Sequence, residues 1–207
     1  MIKIFIFDFD GTLTTQDMLD EVCDIVGKKE QSTKINYDVI NGNKKEIIPA
    51  LCQRVNFLKG VTTKEINDKL SKKNYLRDGV KELFNELNKR GYITIVSSGS
   101  IMPVLKYYQK KLGITYIFGS DPNIENETIV GINENNYKGE KFKYQNCFDV
   151  INKYQEEKII YGIGDSAVDI EMLSLANKKI AIDPKGGLEN HVDYVIKDLK
   201  EILNYIN

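Results

Sequence analysis

Residues 2–14, IKIFIFDFDGTLT, begin with an apolar run, Ile2, Ile4, Phe5, Ile6 and Phe7, interrupted only by Lys3. A strand with one face in water alternates apolar and polar side chains. A run apolar at consecutive positions instead fits a strand covered on both faces, as in the middle of a parallel sheet. The run stops at Asp8 and Asp10, with Gly11 directly after. Open α/β sheets place ligands at the carboxyl ends of their strands, where two acids one residue apart can hold a divalent cation while one of them attacks an electrophile. By itself, Asp10-Gly11 also fits the turn of an ordinary hairpin.

The rest of the chain decides between the two. From residue 15 to about residue 74 the apolar positions keep helical spacing. Met18, Leu19, Val22, Cys23, Ile25 and Val26 make one amphipathic helix closed by Gly27, and Ile47, Ile48, Leu51, Val55 and Leu58 make another that ends at Gly60. Thr62-Thr63-Lys64-Glu65 opens a third with a cap-like start, and runs rich in Lys and Asn separate the three. The pattern predicts a helical bundle over residues 15–75, inserted into a unit made of residues 1–14 and 76–207. In that unit strands are expected at 92–96, 114–118, 158–163, 180–182 and 194–196. Helices are expected through Val80, Leu83, Phe84 and Leu87, through Val104, Leu105, Tyr108 and Leu112, over 141–154, through Ile170, Met172, Leu173 and Leu175, and over 199–206. Residues 121–137 read as an irregular loop or a hairpin. The expected fold class is therefore α/β: a doubly wound, Rossmann-like, mostly parallel sheet with right-handed crossovers and an inserted helical-bundle cap. Such a sheet brings the strand ends at Asp8, Ser97 and Asp165 to one edge.

Composition narrows the partners. With 207 residues, 29 Lys and Arg against 30 Asp and Glu, and a net charge of -1, the chain can bury a real core but offers no footprint for nucleic acid or an anionic membrane. The N-terminal apolar run is too short for the core of a signal peptide or for a bilayer span, so a soluble cytoplasmic protein is expected. Cys23, Cys52 and Cys147 are odd in number and widely spaced, which reads as buried free thiols. His191 is the only histidine, which excludes most histidine-based catalysis; after Gly186-Gly187 it reads as a helix end or loop.

Four segments then stand in a telling order: Asp8-Phe9-Asp10-Gly11-Thr12, Ile95-Val96-Ser97-Ser98-Gly99, Lys138-Gly139-Glu140 and Gly164-Asp165-Ser166-Ala167-Val168-Asp169. In order and spacing they resemble the four motifs of the haloacid dehalogenase-like phosphohydrolase superfamily, within it the phosphoserine phosphatase-like branch, and the resemblance runs the length of the chain. It implies a Mg²⁺ ion held by the Asp8 side chain, the Asp10 backbone carbonyl and Asp165. It also implies Asp8 as the nucleophile that forms an aspartyl-phosphate and Asp10 as proton donor to the leaving alkoxide, then base for the attacking water. Ser97, Ser98, Gly99 and Lys138 would surround the phosphoryl oxygens, and Asp169 would position Lys138 or the water around the metal. The cation has a physical reason: a phosphomonoester carries about two negative charges near neutral pH and repels an attacking carboxylate.

The inserted helices correspond to a lid over a small substrate. Asp17 and Arg54 fall where the branch reads the amino group and the carboxylate of phosphoserine, Asp17 with one methylene less than the usual glutamate. Val168 replaces an asparagine, and Ser98 and Ser100 replace a glycine and an aromatic residue. The resemblance thus implies a Mg²⁺-dependent phosphomonoesterase acting on a small phosphorylated metabolite, O-phosphoserine first, as a monomer or homodimer. The same chemistry on a sugar phosphate, a phosphocholine-like ester or a sulfur-salvage intermediate stays open, as does a binding protein that kept the fold and lost turnover. Plainer roles exist for single residues. Ser97 and Ser98 can cap the next helix, Ser166 and Asp169 match a capping box, and Lys141 and Lys143 lie close enough to compete with Lys138.

Overall fold

The computed structural model describes residues 1–40 and 46–206; residues 41–45, inside the expected cap, and Asn207 lie outside the described residues. Its strands are β1 (Ile2–Phe7), β2 (Ile93–Ile101), β3 (Tyr116–Ser120), β4 (Asn123–Glu125), β5 (Thr128–Gly131), β6 (Lys158–Ser166), β7 (Lys178–Lys185) and β8 (Tyr194–Ile196). The helices are α1 (Met18–Cys23), α2 (Lys29–Ile40), α3 (Ile47–Asn56), α4 (Thr63–Ser71), α5 (Val80–Lys89), α6 (Met102–Leu112), α7 (Phe142–Ile151) and α8 (Ile170–Leu173). Among the described residues the main sheet has six strands in the order β3-β2-β1-β6-β7-β8, every pair parallel.

The apolar run explains its own position. Ile4, Phe5, Ile6 and Phe7 are fully buried. Phe5 and Phe7 pack with Leu83, Phe84 and Val104 on one face, while Ile4 and Ile6 pack with Cys147, Val150 and Met172 on the other. Each such side chain contributes about 1.5–3 kcal/mol on burial, so a polar substitution on either face costs core. With β2 on one side and β6 on the other, β1 is the central strand that its sequence requires.

The antiparallel hairpin β4–β5, turned through Asn126 and Glu127 at positive φ, is one of the two forms expected for residues 121–137. Two departures from the expected pattern have physical causes. β2 and β6 run on past Val96 and Ile163, with register shifts between Ser97 and Ile101 and between Gly164 and Ser166 that interrupt the regular ladder near their ends. The helix α2, KEQSTKINYDVI, has only Ser32 and Ile35 buried, so hydrophobic periodicity could not reveal it.

The helices α1, α3 and α4 are not detached from the sheet. Met18, Leu19, Val22, Leu51 and Val55 belong to the same apolar cluster as Phe7, Phe9 and Leu13. The hairpin also ties them down, through Gly60 N–H to the Ile129 carbonyl at 2.9 Å and Thr63 N–H to the Glu127 carbonyl at 2.8 Å. Cys23, Cys52 and Cys147 are free and buried, and His191 ends a short 3-10 turn, Leu188–His191. Among the described residues no helix is long and apolar enough to cross a membrane.

Candidate active site

Phe7 is the last residue of β1, and the Asp8 amide still donates to the Ile163 carbonyl at 2.9 Å. Asp8 therefore leaves the ladder in a fixed direction, 3 % exposed, at the edge where β2 and β6 also end. Gly11 follows at φ +88°, and a Cβ on it would lie 2.2 Å from Asp165 Oδ2. Only glycine lets the acid at the end of β6 come this close to the β1 loop. Carboxylate oxygens of Asp8, Asp165 and Asp169 lie within 4.8 Å of one another.

The cation that meets Asp8 is Lys143. Its Nζ donates to Asp8 Oδ1 at 2.6 Å and to Asp169 Oδ1 at 2.9 Å. Lys138, expected at this place, is instead an exposed residue paired with Asp149 at 2.5 Å, and Lys141 pairs with Glu171. The reason is helical phase. Lys143 lies in the first turn of α7, three, four and seven residues before Asn146, Cys147 and Val150, all buried, so its side chain runs inward over the sheet edge. A lysine on the apolar stripe of a helix was the signal that could have singled it out.

Asp169 has both oxygens occupied. Oδ2 accepts the Asp165 and Ser166 amides at 3.2 Å each, closing the capping box with Ser166, while Oδ1 takes Lys143. It therefore holds Lys143 and the β6 turn in place and leaves Asp8 and Asp165 as the side chains suited to a cation.

Burial first, then Asp169 and Asp165 acting against Lys143, raise the Asp8 carboxyl to about 7. Burial, then the Asp169 charge, also raises Asp165, against a 3.2 Å contact from Lys185. Burial works against the Lys143 charge, but Asp169 and Asp8 outweigh it and push its pKa up. Crowded buried carboxylates offering only oxygen donors are the set that a hard divalent cation fits.

Asp10 faces the same cleft. Its Oδ1 accepts the Met18 amide at 2.8 Å, and its Oδ2 lies 3.3 Å from Ser98 Oγ. Burial, followed by the Asp17 and Asp8 charges, raises its carboxyl well above the usual range. The two adjacent serines part ways: Ser98 and Gly99 line the cleft, while the Ser97 hydroxyl is fully buried and donates to the Lys143 carbonyl at 3.3 Å. Ser97 thus braces the lysine segment, contrary to the expected direct place at the phosphate.

Toward the helical side the cleft, about 220 Å³, is lined by Asp17, Leu51 and Arg54 among others. Arg54 is only 3 % exposed. Its Nη2 donates to Asp17 Oδ1 at 2.6 Å and Asp20 Oδ1 at 2.9 Å, and its Nε to Ser32 Oγ at 2.8 Å. Asn36 donates to Asp17 Oδ2 at 3.0 Å and Thr33 to Asp20 Oδ2 at 2.7 Å. The two residues expected to read a substrate's charged groups therefore stand at the cleft paired with each other. Asp20 and the α2 residues Ser32, Thr33 and Asn36 complete the cluster, and sequence patterning missed all four.

Known proteins of the same shape carry the same architecture. A phosphoserine phosphatase of Methanocaldococcus jannaschii is 31 % identical over 211 residues, covering 99 % of this chain and 97 % of its own. One from Campylobacter jejuni subsp. doylei is 30 % identical over 213 residues, covering both chains fully. A solved structure described as a phospho-aspartyl intermediate analogue of phosphoserine phosphatase superposes with a TM-score of 0.83 at 29 % identity, covering 100 % of this chain and 99 % of that one. A substrate-bound phosphoserine phosphatase complex reaches 0.82 at 28 % identity, with the same coverage. The family model for haloacid dehalogenase-like hydrolases matches residues 5–174, from the central strand to beyond Asp169. Taken with the sheet and its edge of acids, these matches show that the chain belongs to the haloacid dehalogenase-like hydrolase family.

Proposed function

We propose that this chain is a Mg²⁺-dependent phosphomonoesterase acting on O-phosphoserine through an aspartyl-phosphate on Asp8. The observation that carries the reading is the convergence of Asp8, Asp10, Asp165 and Lys143 on one cleft at one sheet edge. Relatives named phosphoserine phosphatase over nearly the whole chain support the substrate. Asp8 and Asp165, with the Asp10 carbonyl, would hold the ion. When bound, Mg²⁺ supplies the positive charge that lets a carboxylate approach a dianionic ester.

The chain's own groups do the rest. An Asp8 oxygen bonds to phosphorus as the P–O ester bond breaks, its electron pair staying with the alkoxide, which takes the proton held by Asp10. Water then attacks the same phosphorus, gives its proton to Asp10 and frees Asp8. Lys143, held by Asp169, and the cleft wall at Gly99 would face the phosphoryl oxygens as charge gathers on them. Residues 15–75 would act as the cap, with Asp17 and Arg54 turned to the substrate's charged groups. The near-neutral charge balance supports a small metabolite as the partner, and the enzyme would be soluble, cytoplasmic, and monomeric or homodimeric.

The pairing of Arg54 with two carboxylates, and Val168 on the cleft wall, favour a second reading: the same chemistry on a different small phosphate ester. A panel of phosphate esters assayed with and without Mg²⁺ separates the two. Metal-dependent phosphate release from phosphoserine, abolished in Asp8→Asn, supports the first. Robust release from other esters but none from phosphoserine supports the second, and no release from any ester sinks both.

A further inference from the structure

Two donors bracket the Asp10 carboxyl from its two oxygens. The Met18 amide donates to Oδ1 at 2.8 Å, and a backbone N–H remains a donor whatever the protonation of its partner. Any proton Asp10 carries therefore belongs on Oδ2, the oxygen 3.3 Å from Ser98 Oγ. Ser98 is 1 % exposed although it lines the cleft, and its oxygen already accepts the Ser100 amide at 3.0 Å. The Ser98 hydroxyl donates its hydrogen to a lone pair of Oδ2, which leaves a proton on that oxygen free to face the cleft. The bond is long in the resting chain, as such contacts commonly are before substrate closes the site.

We propose that Ser98 is a positioning residue for Asp10: its hydroxyl holds Oδ2 toward the ester oxygen, so that the departing alkoxide is met by a proton. This role replaces a direct grip on phosphate for Ser98, and it rests on the phosphatase reading above. In the step it serves, the Asp8 oxygen forms its bond to phosphorus, the P–O electron pair moves to the ester oxygen, and the Oδ2 proton joins that oxygen. An alkyl alcohol leaves poorly without that proton. A nitrophenolate leaves well without it.

The test compares Ser98→Ala, Ser98→Gly and Ser98→Thr in the full chain with Mg²⁺, each on phosphoserine or another alkyl ester that the wild type turns over, and on 4-nitrophenyl phosphate. Ser98→Ala should lose about tenfold in kcat on the alkyl ester with KM within about twofold, and no more than about twofold on the nitrophenyl ester. Threonine should restore most of the loss, and Asp10→Asn should show the same ordering with a larger fall, about 100-fold or more. Ser98→Gly removes the hydroxyl independently if Ser98→Ala fails to fold. Equal losses on the two esters, a change confined to KM, or no rescue by threonine would each overturn the positioning role while leaving the phosphatase reading intact. A wild type that turns over neither ester would overturn that reading and this role with it.

Discussion

A carboxylate at the end of a buried strand is easy to read because the strand itself is easy to read. Asp8, Asp10 and Asp165 each follow an apolar run that can sit only inside a sheet, and the structure gathers Asp8 and Asp165 with Asp169 within 4.8 Å. Lys143 was harder. A lysine side chain reaches far from its own Cα, so motif spacing picks a segment and leaves the residue open; only the phase of α7 separates Lys143 from Lys138 and Lys141. Lys143→Ala should therefore lower kcat/KM by about 100- to 1000-fold, the usual cost of removing a donor from developing phosphoryl charge. Lys138→Ala should stay within about twofold. Steady-state assays on a common substrate check both, and the reverse order would return the role to Lys138.

Among the elements, α2 shows where hydrophobic patterning runs out. It is held to α1 and α3 by polar contacts, Ser32 to Arg54, Thr33 to Asp20 and Asn36 to Asp17, so its signal lies in pairs that no single residue announces. The capped start of α4 was legible, since Thr62 and Glu65 form the reciprocal bonds that their spacing allows. The Arg54 cluster joins three helices, so substituting it should have two effects. Arg54→Ala leaves Asp17 and Asp20 uncompensated at low exposure and should cost about 3–5 kcal/mol, read from denaturant unfolding. Under folded conditions it should also raise KM chiefly for esters that carry a carboxylate. An equal rise for esters without one would refute that contact.

For the molecule as a whole, alternating helices and strands announced a parallel sheet, but the order β3-β2-β1-β6-β7-β8 depends on which strands meet across the core and was not readable from local pattern. The sheet gathers Asp8, Asp10, Asp165 and Asp169 at one edge against only Lys143 and Lys185, so folding holds together more carboxyls than the paired cations offset. A cation bound there should stabilise the fold by mass action, by about 2.7 kcal/mol at a concentration 100 times its Kd. Thermal unfolding with Mg²⁺ and with chelator should show a higher Tm in the metal, and Asp165→Asn should erase the difference. An identical Tm in both for the wild type would argue against a cation at this edge.

The same tight packing silences the sulfur in the chain. Burial pushes the Cys23 thiol up to about 11 and the Cys147 thiol up to about 12, and Cys52, also buried, is raised as well, burial again the main cause. At neutral pH all three stay in the protonated, unreactive form and out of reach of reagent. A maleimide or disulfide probe should leave the native protein unlabelled and capture the thiols only as the chain opens. Labelling rate then becomes a built-in clock for unfolding, with no introduced reporter.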